Sequence, residues 1–147
     1  MLHFEGDRTI PRPQAEVWTK LSDARFLVQG IPDAEIIGDP TQTSAKCKVH
    51  PGVAFIRGTL EVVLQVLEAV EPSSVRLALN SKAIGASSSV EANMTLSAQQ
   101  TGTQIHWTAD VKTLGGLLKV VPQGLIRGTA QKVINDVWEQ VVAKLTA

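Results

Sequence analysis

Between Val53 and Val111, apolar and polar residues alternate through four successive runs. Side chains two apart on a strand share a face, so each run reads as a strand with one wet side. In the first, Ala54, Ile56, Gly58, Leu60, Val62, Leu64 and Val66 oppose Arg57, Thr59, Glu61 and Gln65. In the second, Val75, Leu77, Leu79, Ser81 and Ala83 oppose Arg76, Asn80 and Lys82. The third sets Ala86, Ser88, Val90, Ala92, Met94, Leu96 and Ala98 against Ser87, Ser89, Glu91, Asn93, Thr95 and Ser97. The last sets Thr103, Ile105, Trp107, Ala109 and Val111 against Gln104, His106, Thr108, Asp110 and Lys112. The connections are short and carry turn chemistry at Glu71-Pro72-Ser73-Ser74, Ile84-Gly85 and Gln100-Thr101-Gly102, which predicts a meandering antiparallel sheet.

The flanking segments supply the layer that covers it. Leu2 to Ile10 alternates as a first strand and stops at Pro11 and Pro13. Pro13 suits the first turn of a helix carrying Val17, Trp18 and Leu21. Ser22 or Asp23 caps a second short helix through Phe26 and Leu27, which Gly30 and Pro32 end. Ala34 to Gly38 and Ser44 to Val49 read as strands split by the Asp39-Pro40 turn, with Pro51-Gly52 turning the chain again. From Leu125 to Leu145 the apolar period becomes helical, and Pro122 marks the first turn of one long amphipathic helix. Leu114 to Val121 is apolar but punctuated by Gly115 and Gly116, so it is expected to be mobile and to act as a gate. The predicted fold is α+β, a helix-grip arrangement: a curved antiparallel sheet of about seven strands, two short helices after strand one, and a long C-terminal helix over the sheet.

At 147 residues and 44% hydrophobic composition, residues 1–147 are expected to form a single domain with one core. Fourteen basic residues balance fourteen acidic ones, so no field favours nucleic acid or an anionic membrane. Cys47 is the lone cysteine and no charged-then-apolar leader opens the chain, so a cytoplasmic location is expected. No run of about 18 uninterrupted apolar residues is present to span a membrane.

Phe4-Glu5-Gly6, Ile10-Pro11-Arg12-Pro13, Val17-Trp18, Leu21-Ser22-Asp23 and Ile31-Pro32 follow the spacing seen at the start of the CoxG family of carbon monoxide dehydrogenase. Ile56-Arg57-Gly58, Glu71-Pro72, Gly85, Gly102-Thr103, Trp107, Ala109-Asp110-Val111 and Gly115 continue the pattern. The chain therefore resembles that family, part of the START-like (SRPBCC) superfamily of lipid-transfer and polyketide-cyclase domains. The resemblance implies a hydrophobic cavity under the C-terminal helix and an association with carbon monoxide dehydrogenase, including its recruitment to the membrane. Many members carry a C-terminal extension, whereas this sequence ends at Ala147, so at most transient membrane contact is expected.

Catalytic and metal chemistry find little support in the spacing. His3, His50 and His106 fall on different strands or turns, and no HxxxH, HExxH or CxxC pattern occurs, so no metal is expected. His106 and Asp110 lie about 13 Å apart along one strand, too far for a hydrogen-bonded base and orienter. Ser87, Ser88 and Ser89 lack a nucleophile elbow, Cys47 reads as a small buried thiol, and Gly115-Gly116 matches no phosphate-binding pattern.

The positive signal is one of volume. Ala45, Ala54, Gly58, Ala83, Ala86, Ser88, Ala92 and Ala109 face inward with few aromatics to match them, and interiors pack densely unless something else fills them. The expected cavity wall comprises Ile36, Cys47, Ile56, Leu60, Leu77, Leu79, Val90, Met94, Trp107, Leu118, Val121 and Leu125. Trp107 is either core filler or one wall of a ligand site, while Trp18 and Trp138 read as packing residues. These features predict a noncatalytic binding or carrier protein, without cofactor, for an apolar small molecule such as a lipid or an isoprenoid of the quinone kind. An accessory protein docking on a carbon monoxide dehydrogenase-like redox enzyme through Leu117, Leu118 and Val120 is the alternative. A polyketide cyclase-like enzyme is the weaker one, because the inward faces supply mainly Ser81, Ser88 and Thr103 as polar groups.

Overall fold

The computed structural model describes residues 2–50 and 58–147; the expected strand positions Ala54 and Ile56 and the turn Pro51-Gly52 lie outside the described residues. The chain runs β1 (His3–Ile10), α1 (Gln14–Leu21), α2 (Ala24–Val28), β2 (Glu35–Ile37), β3 (Ser44–Val49), β4 (Leu60–Val70), β5 (Ser74–Ala83), β6 (Ala86–Gln99), β7 (Gly102–Gly116), a 3-10 turn at Leu117–Lys119 and α3 (Gln123–Leu145). These seven strands form one antiparallel sheet in the order β1-β7-β6-β5-β4-β3-β2, so a long crossover carries the chain from β1, through the two short helices, to the far edge.

The period-two pattern fixes which face the helices cover. Val62 and Leu64 on β4, Val75 and Leu77 on β5, Met94 and Leu96 on β6, and Thr103 through Val111 at odd positions on β7 are buried, while Arg76, Thr95 and His106 are exposed. Register carries this inner face across the sheet: Cys47 pairs with Val62, Leu64 with Leu79, Leu77 with Ala92, and Met94 with Trp107.

Hydrogen bonds to backbone carbonyls tie one end of the grip together. Arg12, just past β1, donates from Nε to the Leu145 carbonyl (3.3 Å) and from Nη2 to that of Thr146 (3.2 Å), which places a cation on the last, unpaired carbonyls of α3. Thr103 Oγ1 donates to the Arg12 carbonyl (2.8 Å). From α1, Gln14 Nε2 donates to the Pro72 and Leu96 carbonyls (3.1 and 3.2 Å), and Trp18 Nε1 donates to that of Ser74 (3.1 Å). Asp23 caps α2 by accepting from the Arg25 N–H (2.9 Å), as its short polar side chain and extended backbone favour.

The segment expected to be a mobile gate is built differently. β7 runs on through Gly116, with Leu114, Gly115 and Gly116 opposite Ser88, Ser87 and Ala86. The Leu117 N–H then donates to the Gly85 carbonyl (2.7 Å), and Leu118 is buried. The glycines that suggested a loop serve close pairing: a Cβ on Gly115 would strike Ser87 Oγ, and one on Gly116, which has φ +61°, would strike the Gly85 carbonyl oxygen. A register shift between Ser89 and Val90 brings even-numbered Leu114 onto the inner face with Ser88, after Val111 has paired with Val90.

Candidate functional site

The inner face is not evenly covered. Toward the end where β1 stops and β7 starts, Ile10, Thr103 and Ile105 are wholly buried, with Val75, Leu96 and Met94 nearly so. Toward the opposite end, Leu60, Leu79, Ser81, Ala83, Ser88, Val90, Ala92 and Leu114 face the same side yet are only half-buried. α3 explains the asymmetry. It packs on the β1–β7 side, where Arg127 stacks on Phe4 (5.2 Å) and Trp138 meets Trp107 (6.1 Å between centroids), while Val141 lies against Gly30 just past α2. Toward the β5–β6 hairpin the inner face of β5 and β6 is left half-buried, an apolar strip, or trough, beside the buried Val62 and Leu64 of β4.

The expected wall residues divide accordingly. Cys47, Leu77, Met94, Trp107 and Leu118 are buried, whereas Leu60, Leu79, Val90 and Val121 are half-buried; Ile56 lies outside the described residues. Ile36 shares the row of Cys47 but sits on the edge strand β2 and is 42% exposed. Leu125 is 51% exposed and does not face inward: the helical turn buries its neighbour Ile126 instead. Helical period alone does not say which of two adjacent leucine-type residues heads the buried stripe, because both lie within its width.

Two polar features stand in this apolar surrounding. Ser81 and Ser88, register partners on β5 and β6, share a hydroxyl–hydroxyl hydrogen bond. Trp107 is buried with no acceptor for its Nε1–H among the described residues; its indole edge lies against Gly6, where a Cβ would come within 2.9 Å of Cζ2. Burial pushes the Cys47 thiol up, which disfavours the thiolate a nucleophile or soft-metal ligand requires. Among the described residues, no group of three or more His, Cys, Asp and Glu side chains could hold a metal ion.

The histidines His3 and His106 belong to the outer face. His3 Nδ1 lies 2.5 Å from Asp110 Oδ1, and His106 Nδ1 lies 3.1 Å from Asp7 Oδ1, both across the β1–β7 register. His106 and Asp110, too distant along β7 to serve each other, thus each find a partner on β1. A depression of about 690 Å³ also lies between the β1 edge and α3, lined by Arg8, Asn135, Trp138, Glu139, Val142 and Ala143. Its lining mixes the charged Arg8 and Glu139 with the apolar Trp138, Val142 and Ala143.

Comparison with known proteins places this geometry in a family. Residues 6–146 match the family model that describes CoxG of carbon monoxide dehydrogenase. No curated protein matches the chain. A conserved protein from Geobacillus kaustophilus has a similar structure at 22% identity, with a TM-score of 0.78 over 98% of this chain and 95% of its own. A protein from Chromobacterium violaceum aligns at 12% identity and a TM-score of 0.70, covering 99% of this chain and 98% of its own. Ara h 8.0201 aligns at 17% identity and a TM-score of 0.61, covering 98% and 97%. These likenesses establish the helix-grip fold.

Proposed function

This chain belongs to the CoxG family of carbon monoxide dehydrogenase, and from that premise we propose that it is a noncatalytic binding or carrier protein for an apolar small molecule, a lipid or an isoprenoid such as a quinone. In this reading the ligand lies on the half-buried inner face of β5 and β6, with Leu60 of β4 beside it. That half-burial carries the reading. Apolar inner residues such as Leu60, Leu79 and Val90 are half-buried while Leu96 and Ile105, on the same face toward the other end, are sealed, and covering them with a ligand contributes about 25 cal/mol per Å² before ordering costs. The histidine–aspartate pairs among the described residues sit on the outer face, away from the trough, which supports binding over acid–base catalysis there. Mass spectrometry of organic extracts from the purified protein, with titration of the apolar fluorophore N-phenyl-1-naphthylamine, tests the proposal. Recovery of an apolar molecule and saturable probe binding are expected. No extractable ligand and no probe binding would overturn it.

A second reading is favoured by the surface near this trough. Ile84 and Val120 are 82% and 79% exposed, and Leu117 and Leu125 are about half exposed, around the β5–β6 hairpin and the start of α3. Exposed apolar clusters of this kind mark docking surfaces, and the family's description points to carbon monoxide dehydrogenase as the partner. Co-elution with that purified enzyme, lost in Ile84→Asp and Val120→Asp, is the expected result; independent elution of the two would remove this reading. No helix among the described residues is long and apolar enough to cross a membrane.

A further inference from the structure

We infer that the Ser81–Ser88 hydroxyl pair is the specificity determinant of the apolar trough, selecting ligands that carry a hydrogen-bond-accepting oxygen, a carbonyl or hydroxyl, over plain hydrocarbons. The inference rests on the binding reading above. Both serines occupy inner-face positions in one register row, flanked by Val62 on β4 and Leu114 on β7, with Leu79 and Val90 one step along. A cross-strand hydroxyl pair on a wet face is unremarkable. Here it interrupts the apolar floor where that floor is half-buried.

Counting donors gives the pair its chemistry. Each serine has one O–H to donate, and the mutual bond uses one of the two. Neither hydroxyl makes another side-chain hydrogen bond among the described residues, so one O–H remains to be satisfied by water. A hydrocarbon settling over the row strips that water and leaves the donor unmet, which is costly in an apolar surrounding. A ligand oxygen above the row replaces the water. Discrimination therefore arises as much from the penalty on the wrong ligand as from the bond to the right one.

A cycle between protein and ligand tests this. Displacement of N-phenyl-1-naphthylamine by 2-undecanone and by undecane is measured on the native chain and on the Ser81→Ala/Ser88→Ala variant. The expected result is a loss of about three- to tenfold in 2-undecanone affinity in the variant, with undecane unchanged or tighter, the worth of about one neutral hydrogen bond. The undecane arm reports whether the variant keeps its trough. Equal changes for the two competitors, or no change for either, would overturn the serine assignment while leaving the binding reading intact. Failure of the native chain to bind the fluorophore would overturn both.

Discussion

The two ends of the sheet share a strand pattern but differ in what covers it. Where β1 ends, Arg12, Gln14, Trp18 and Thr103 all send side-chain hydrogen bonds to backbone carbonyls of neighbouring elements, over a floor that includes the wholly buried Ile10 and Ile105. Where β6 begins, the same inner face carries Leu79, Val90, Ala92 and the serine pair, half-buried, with the hydroxyls bonded to each other. One end is thus a scaffold, and the other is the proposed receptacle. Stability and binding should then respond to different substitutions.

The largest expected effect is at the scaffold. Ile105→Ala should cost about 3–4 kcal/mol in urea unfolding, whereas Leu79→Ala should cost about 1 kcal/mol and chiefly weaken probe binding. Similar losses at both positions would erase the distinction. Gly6→Ala should follow at about 1–3 kcal/mol, because its Cβ would press on the Trp107 ring, and a Trp107→Leu background should relieve most of that cost. Arg12→Ala should remove about 1–2 kcal/mol by uncovering the last carbonyls of α3, with faster amide exchange concentrated in that final turn.

The smallest effect lies on the outer face. The hydrogen bond to Asp110, with a second to Glu5, raises the His3 pKa above its ordinary value of 6.5. A raised folded-state value means that the pair's contribution is full below about pH 6.5 and is lost as pH rises through the raised value. An NMR titration should place the His3 ring above the ordinary value in the native chain and return it toward that value in Asp110→Asn. An unchanged titration would show that the pair does not persist in solution.

Much of this contrast was legible in the sequence, and the misses have physical causes. Period two located the inner face, because Val62, Leu64, Val75 and Leu77 turn inward as the alternation requires. Of the small inward residues, Ala45, Ala86 and Ala109 are buried while Ala83, Ser88 and Ala92 are half-buried, so small size alone does not say which part of the face is covered. What no alternation reports is where α3 lies above it, so Met94 and Trp107, in the same pattern as Val90, are sealed while Val90 is not. Gly115 and Gly116 read as loop punctuation because glycine serves both mobile turns and close pairing; only the partner strand, with Ser87 and Gly85 against them, decides which. The outer His–Asp pairs were hidden because they join strands at opposite ends of the chain.

The central claim, that the β5–β6 face is an unfilled apolar receptacle, is tested most directly by Val90→Phe, with unfolding free energy and N-phenyl-1-naphthylamine affinity measured on the same preparation. The account predicts stability within about 0.5 kcal/mol of the native chain and probe affinity reduced by about tenfold or more, since the ring occupies the ligand's space. A loss of about 1–3 kcal/mol, the signature of overpacking a filled interior, with probe affinity unchanged, would contradict it.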